Sequence, residues 1–207
     1  MIAELPLLLA IALVVAFVLR SFVVQVFYIP SSSMVPTLEI DDRIVVEKLS
    51  YRVREPVRGD VVVFAGATRT DAADDDRAVL DRAIEAVGRF VGILPPDPSD
   101  LVKRVIGLPG DEVSIVDGLL HIDGVPLGEP YLAGPVASNY GPVVVPDGTL
   151  FFLGDNRRNS ADSRGGLGFV ERDRVIGRAV AVVWPFGNAS SLVGQRPAPL
   201  PQTSSVG

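Results

Sequence analysis

Residues 101–124 read LVKRVIGLPGDEVSIVDGLLHIDG, and this stretch decides the fold class. Apolar and polar residues alternate in three short runs, 101–108, 112–116 and 119–122, which the turn sequences PGD and DG separate. A period of two is typical of strands that bury one face, and Asp-Gly between two such runs indicates a tight hairpin. The stretch therefore predicts consecutive antiparallel strands.

Similar runs lie on both sides of this stretch, at 43–47, 60–64, 149–153 and 175–184, again bounded by Gly, Pro and Asp. Such residues end strands because they suit turn conformations. We therefore predict a mainly β protein, built of coiled antiparallel sheets or a partly open barrel, as one domain over residues 29–187. A chain of 207 residues is long enough for one such domain with appendages.

Two segments depart from the β pattern. Residues 66–99 begin polar and acidic and then place apolar residues at helical spacing, which predicts a partly helical insertion between two strands. Its acidic cluster, 71–76, suits either a divalent cation or a solvated loop, and the loop is favoured. Residues 188–207 are rich in Ser and Pro, which predicts a disordered tail.

The N-terminal segment predicts a membrane anchor over residues 1–28. Residues 5–19 carry no charge, and after Arg20 and Ser21 the apolar run continues to Ile29. A helix over 5–29 would extend roughly 37 Å, enough for a hydrocarbon core of about 30 Å; a helix over 2–19 is the alternative. A cleavable signal peptide and a buried core helix are less favoured, because no small-x-small site follows the run. The flanking charge does not orient the segment.

Composition excludes several kinds of site. With no cysteine and one histidine, His121, the chain has no thiolate nucleophile, no disulfide and no His-rich metal site. The net charge is −6 and no basic block is present, which argues against nucleic acid as a partner. No metal and no cofactor are predicted. His121 lies in a strand beside a hairpin turn, and we expect a structural or surface role.

Three segments carry candidate chemistry: IPSSSMVPTL at 29–38, LVKRVIGLPGDEV at 101–113 and GDNRRNSADSRGGLG at 154–168. Alone, each has an ordinary alternative, respectively a linker, an edge strand with a solvated lysine, and an exposed turn. In an alternating strand, one of Lys103 and Arg104 would face the core and the other water. Burial lowers the pKa of a lysine, whose neutral amine can then accept a proton from a hydroxyl.

In this order, the three segments resemble type I signal peptidases, the Ser-Lys proteases that remove signal peptides from exported proteins. The family pattern is P-S-x-S-M-x-P-T-L, then K-R-x-x-G-x-P-G-D, then G-D-N-R-x-x-S-x-D-S-R, and the chain has PSSSMVPTL, KRVIGLPGD and GDNRRNSADSR. The resemblance covers roughly residues 5–64 and 101–187. It departs at Ser32, where many members have glycine.

The resemblance implies a role for each matching residue. Ser33 is the nucleophile, and Lys103 is its general base and later the acid that protonates the leaving amine. Ser31 and the Ser33 N–H form the oxyanion hole, and Ser160 orients the lysine. Further residues match two larger sets: a polar scaffold of Asp155, Asp162 and Arg164, and the shallow substrate pockets of Phe27, Ile29, Pro30, Met34, Leu38, Leu101 and Val102.

The resemblance also implies the setting of the reaction. The substrate would bind as an added strand, with small side chains such as Ala at the first and third positions before the cut. The enzyme would cross the plasma or inner membrane once, with its catalytic domain on the extracytoplasmic side. Its partners would be signal peptides of exported preproteins and the lipid bilayer, with the export machinery nearby. A Ser-Lys protease with specialised substrates and an inactive membrane-anchored β module are the alternatives.

Overall fold

The computed structural model describes residue 8 and residues 23–66, 99–132, 134, 136 and 139–200. Within these ranges the chain is mainly β, with one short helix, α1 (Ser50–Val53), and two 3-10 turns, at Arg172–Arg174 and Phe186–Asn188. The strands in chain order are β1 (Val24–Tyr28), β2 (Arg43–Glu47), β3 (Val61–Ala65), β4 (Asp100–Gly107), β5 (Glu112–Val116), β6 (Leu119–Ile122), β7 (Val125–Gly128), β8 (Tyr140–Val144), β9 (Thr149–Leu153), β10 (Val170–Glu171), β11 (Val175–Trp184), β12 (Ser190–Ser191) and β13 (Ala198–Pro199).

These strands form two antiparallel sheets. The larger sheet has the order β1-β2-β11-β3-β4-β9-β10, with β12 added to β11, and the smaller has the order β13-β7-β6-β5-β8. The sheets are curled into a half-barrel, which confirms the predicted mainly β class. Five predicted strands have the predicted bounds (43–47, 112–116, 119–122, 149–153 and 175–184), and two are shifted by one residue.

The central strands of the larger sheet are buried on both faces. Along β3, Val61 and Val63 belong to one apolar cluster, whereas Val62 and Phe64 belong to another, in which Phe64 stacks on Phe152 of β9. An uninterrupted apolar run such as VVVFA is expected of a strand that is covered on both sides. This double cover also surrounds β4, which lies between β3 and β9.

Two parts of the sequence-based organisation need correction. Residues 24–28 are not the end of a helix but strand β1, whose partner is β2, with Phe27 opposite Ile44. The apolar alternation of VQVFY suits a paired strand as well as a helix, and pairing with a distant strand decided between them. Among the described residues, no helix has the length and apolarity needed to cross a membrane. The rest of the predicted anchor, apart from residues 8 and 23, lies outside the described residues.

The predicted disordered tail is ordered up to residue 200. Strand β12 pairs with β11 of the larger sheet, and strand β13 pairs with β7 of the smaller sheet. Between them, the Leu192 side chain is buried in the same apolar cluster as Met34. We call residues 190–200 the strap, because they join the two sheets. Backbone pairing orders this segment despite its polar composition.

The predicted insertion falls mostly on residues 67–98, outside the described residues. Its two ends meet, since the Gly66 N–H donates to Ser99 O at 3.0 Å. They continue β3 and β4, which are antiparallel neighbours. The segment therefore connects adjacent strand ends, as expected for an insertion between two strands.

Candidate active site

Ser33 and Lys103 meet in the structure. Ser33 lies in the turn-rich segment that follows β1, and Lys103 lies on β4. The lysine Nζ donates hydrogen bonds to Ser33 Oγ at 2.7 Å and to Val102 O at 2.9 Å. Both residues are largely shielded from water, with exposures of 9% for Ser33 and 4% for Lys103. The alternative of a solvated lysine on an edge strand is therefore excluded.

Burial also changes the acidity of the lysine. Removal of water from the ammonium group lowers the pKa of Lys103 to about 8, although the carboxylates of Asp162 and Asp155 oppose the shift. With such a pKa about one lysine in ten is neutral at pH 7, against about one in a thousand for an unperturbed lysine. Lys103 can therefore accept a proton from the hydroxyl that it contacts.

Arg104 faces away from Lys103 but is also buried, so the expectation that one of the two faces water is wrong. Its guanidinium, with 0% exposure, is paired with Asp155, whose two oxygens accept from Nε at 2.8 Å and from Nη2 at 2.5 Å. Nη1 donates to Gly59 O and to Gln195 O of the strap. The ring of Tyr131 lies 3.7 Å from the guanidinium carbon. A buried cation needs such complete pairing.

The loop that follows β9 is held by ion pairs, as its composition predicts. Arg164 donates from Nε and Nη2 to the two oxygens of Asp162, each at 2.9 Å. Asp162 also accepts the Gly154 N–H, and Arg157 is paired with Glu129 and donates to Gly154 O. Because both ends of the loop share these contacts, the loop is a rigid unit.

Two asparagines of this loop hold the segment that contains Ser33. The Asn156 N–H donates to Ser33 O at 3.0 Å, and Asn156 Nδ2 donates to Ser32 O at 3.1 Å. Asn159 Nδ2 donates to Ser32 Oγ at 2.9 Å. The sequence analysis missed both residues, although each lies inside the GDNRRNSADSR motif. Asn159 contacts the side chain by which the chain departs from the family pattern.

Two further serines, Ser160 and Ser31, lie close to Ser33, but neither makes a hydrogen bond as short as the one between Lys103 and Ser33. Ser160 Oγ is buried and has no hydrogen-bond partner among the described residues, so its expected contact with Lys103 is not made in this structure. Ser31 Oγ lies 3.4 Å from Ser33 Oγ, at the limit of a hydrogen bond. Gly154 separates Ser160 from Ser33: a Cβ there would lie 2.7 Å from Ser160 Cβ and 2.5 Å from Ser33 O.

The seven predicted pocket residues divide into two groups. Four of them are buried core residues with exposures of 3% or less: Phe27, Ile29, Met34 and Leu38. Pro30 is exposed, and Leu101 and Val102 are half-buried. A group that approaches from solvent therefore contacts these last three first.

One edge of β4 beside Lys103 is open among the described strands. Strand β3 pairs with β4 from Asp100 to Arg104, whereas β9 pairs only from Arg104 onward. Among the described strands, none covers the β9 side of residues 101–103. An unpaired edge of this kind can accept a peptide as an added strand.

His121 lies on β6 in the smaller sheet, where its Nδ1 is 3.0 Å from Leu119 O. It contacts none of the residues described above. Within the described ranges, no group of three or more His, Asp or Glu residues is arranged to hold a metal ion. The acidic cluster at 71–76 lies outside those ranges.

Comparison with known proteins gives consistent matches. Residues 2–184 match the family model described as "Signal peptidase, peptidase S26". A probable signal peptidase I-2 of Synechocystis is 43% identical over 84% of this chain and 69% of its own length. The signal peptidase I of Leptolyngbya laminosa is 40% identical, with coverages of 87% and 79%. That of Mycobacterium tuberculosis is 40% identical, with coverages of 88% and 72%.

Proposed function

The chain belongs to the signal peptidase family, peptidase S26, and is a signal peptidase; from this premise we propose that it cleaves signal peptides from exported preproteins with a Ser-Lys dyad formed by Ser33 and Lys103. The observation that carries this proposal is the 2.7 Å contact between Ser33 Oγ and the buried Lys103 Nζ. A hydroxyl is a weak nucleophile until a base takes its proton. Burial lowers the pKa of Lys103 to about 8, so that part of the lysine is neutral near pH 7 and can act as this base.

The proposed reaction has two halves. Neutral Lys103 takes the proton from Ser33 Oγ as that oxygen attacks the carbonyl before the cut. The resulting ammonium then protonates the departing amine, which leaves an acyl ester on Ser33. Lys103 next takes a proton from water, the hydroxide attacks the ester, and the acid product leaves as Ser33 regains its proton.

The developing oxyanion needs donors, and we propose the Ser31 hydroxyl and the Ser33 N–H for that role. Ser31 Oγ lies beside the nucleophile, and the Ser33 N–H donates to no acceptor among the described residues. Each such donor contributes on the order of 10²-fold to the rate or more. The buried Ser160 hydroxyl, which lacks a partner, would turn to Lys103 Nζ and orient the neutral amine.

The remaining matched residues hold and shape the site in this proposal. Asp155, Asp162 and Arg164 fix the loop against β4 through the ion pairs described above. The signal peptide adds to the open edge of β4, with its small side chains against Pro30, Leu101 and Val102. Phe27, Ile29, Met34 and Leu38 form the packed layer behind them, which keeps these pockets shallow.

We further propose that the enzyme is anchored in the plasma or inner membrane by one span, with the catalytic domain on the extracytoplasmic side. The anchor would end before Val23, because β1 begins at Val24. The support is the uncharged run at residues 5–19 and the nature of the substrate, which is itself an apolar segment in the same bilayer. The bilayer and nearby export machinery would then be its partners.

The test is cleavage of a preprotein in detergent by the full chain. We expect Ser33→Ala and Lys103→Ala each to lower kcat by about 10³-fold or more, because neither half of the dyad acts without the other. His121→Gln serves as the control and should retain activity, since His121 lies in the other sheet. Activity retained by either dyad variant would refute the mechanism.

A further inference from the structure

A cavity of about 540 Å³ is lined in part by Ser160, which lies close to Ser33. The loop that follows β9 contributes Arg157, Arg158, Ser160 and Arg164 to its lining, and Asn139 and Tyr140 face them. Ser160, in the wall of the cavity, is close to Ser33, because only Gly154, which has no side chain, lies between them. A peptide bound at Ser33 would therefore lie close to the Ser160 wall of the cavity.

The open edge of β4 indicates which part of a bound peptide lies near the cavity. In the binding mode proposed above, residues before the cut lie along 101–103, where that edge is not paired with β9. From Arg104 onward β9 occupies the edge, with Leu153 opposite Arg104. A peptide extended past Lys103 therefore meets the end of β9 and has to rise over the loop that begins at Gly154. The cavity consequently faces the residues after the cut.

The charges around the cavity leave one cation uncompensated. Arg157 is paired with Glu129, and Arg164 is paired with Asp162. Arg158 is exposed and has neither an ion pair nor a hydrogen bond among the described residues. The other lining groups, Asn139, Tyr140 and Ser160, are uncharged donors and acceptors. In a chain with net charge −6, this rim therefore carries a local positive charge.

We propose that this cavity binds an acidic side chain of the preprotein from the first three residues after the cut, with Arg158 as its charge partner. This inference rests on the proposed cleavage at Ser33, and it adds a preference on the side of the substrate that becomes the mature protein. A guanidinium suits a carboxylate because its N–H groups match the two oxygens. Attraction at an exposed site is modest and sensitive to salt.

The experiment compares two peptides that both have Ala at the first and third positions before the cut. One peptide has Glu at the second and third positions after the cut, and the other has Gln at these two positions. The full chain in detergent should cleave the Glu peptide with a kcat/KM about 2- to 5-fold higher at low ionic strength, a ratio typical of an exposed ion pair. The ratio should fall to about 1 in Arg158→Gln and below 1 in Arg158→Glu.

Arg172→Glu is the matched control, because it makes the same change of charge at an exposed arginine paired with Glu55 rather than at the cavity. The wild-type ratio should persist in this variant and should shrink in about 0.5 M salt. A ratio of 1 in an active wild type, or a ratio that Arg158→Glu leaves unchanged, overturns the cavity proposal alone. Failure of the wild type to cleave either peptide or a preprotein overturns the proposed function and this inference with it.

Discussion

Gly154→Ala tests how closely the structure positions the nucleophile. The added Cβ would lie 2.5 Å from Ser33 O and 2.7 Å from Ser160 Cβ, and the Ser33 oxygen belongs to the backbone. Ordinary carbon–oxygen contacts are longer by roughly 0.7 Å, so the Ser33 backbone has to retreat by a comparable distance. Because a misplacement of about 1 Å can cost about 10²-fold in rate, we expect kcat to fall by about 10- to 100-fold.

The same substitution should cost about 1–3 kcal/mol of unfolding free energy, as overpacking usually does. Activity and urea denaturation of the full chain in detergent measure the two effects separately. Gly166→Ala is the matched control, because a Cβ there meets no atom within 4 Å and neither glycine has a positive φ. Equal kcat values in the two variants would refute the argument that Gly154 sets the position of Ser33.

Two further predictions follow from the pKa of Lys103 and from the strap. In the proposed mechanism only the neutral form of Lys103 is active. Burial lowers the pKa of Lys103 to about 8, so kcat/KM should rise about tenfold per pH unit below that value and level off above it. A limb centred near pH 6.5 and abolished by His121→Gln would contradict the lysine assignment. Leu192→Ala removes a side chain that is 4% exposed and should lower the free energy of unfolding, measured by urea denaturation, by about 2–5 kcal/mol. Val193→Ala, at a residue that is 50% exposed, should lower it by under about 0.5 kcal/mol. Similar losses of stability in the two variants would show that the strap is not packed as described.

Strands with clean alternation and strong turns could be predicted from the sequence to the residue. The hairpin of β5 and β6 is the clearest case, because Asp117 and Gly118 both take positive φ, as its Asp-Gly turn requires. β1 was missed because its apolar residues continue a longer apolar run, and only pairing with β2 distinguishes a strand there. The order of the tail likewise depends on distant edges, at β11 and β7, which local composition does not encode.

In the candidate site, too, features carried by neighbouring residues could be predicted, whereas features that depend on contacts with distant parts of the chain could not. The meeting of Ser33 with Lys103 and the ion-paired loop could be predicted because short motifs carry them. The burial of both Lys103 and Arg104 could not, because alternation along β4 assigns the two side chains to opposite faces but does not say that both faces are covered. The same information is missing for Phe27, Ile29, Met34 and Leu38, which the motif match assigns to substrate pockets, because only the fold shows that all four belong to a buried apolar cluster.

Because the strap is synthesised last among the described residues, the two sheets cannot be completed until nearly the whole domain has been made. Residues 190–199 follow every other described strand, yet β12 completes one sheet, β13 completes the other, and Gln195 supplies an acceptor to Arg104, which adjoins Lys103. A nascent chain that has been made only as far as Trp184 contains Ser33 and Lys103 but lacks these closing contacts. Domains generally fold as units during synthesis, so we expect this domain to complete its folding only after residues 190–199 have been made. An affinity tag or fusion partner should accordingly be joined after residue 200, because the Leu200 N–H still donates to Pro126 O of β7.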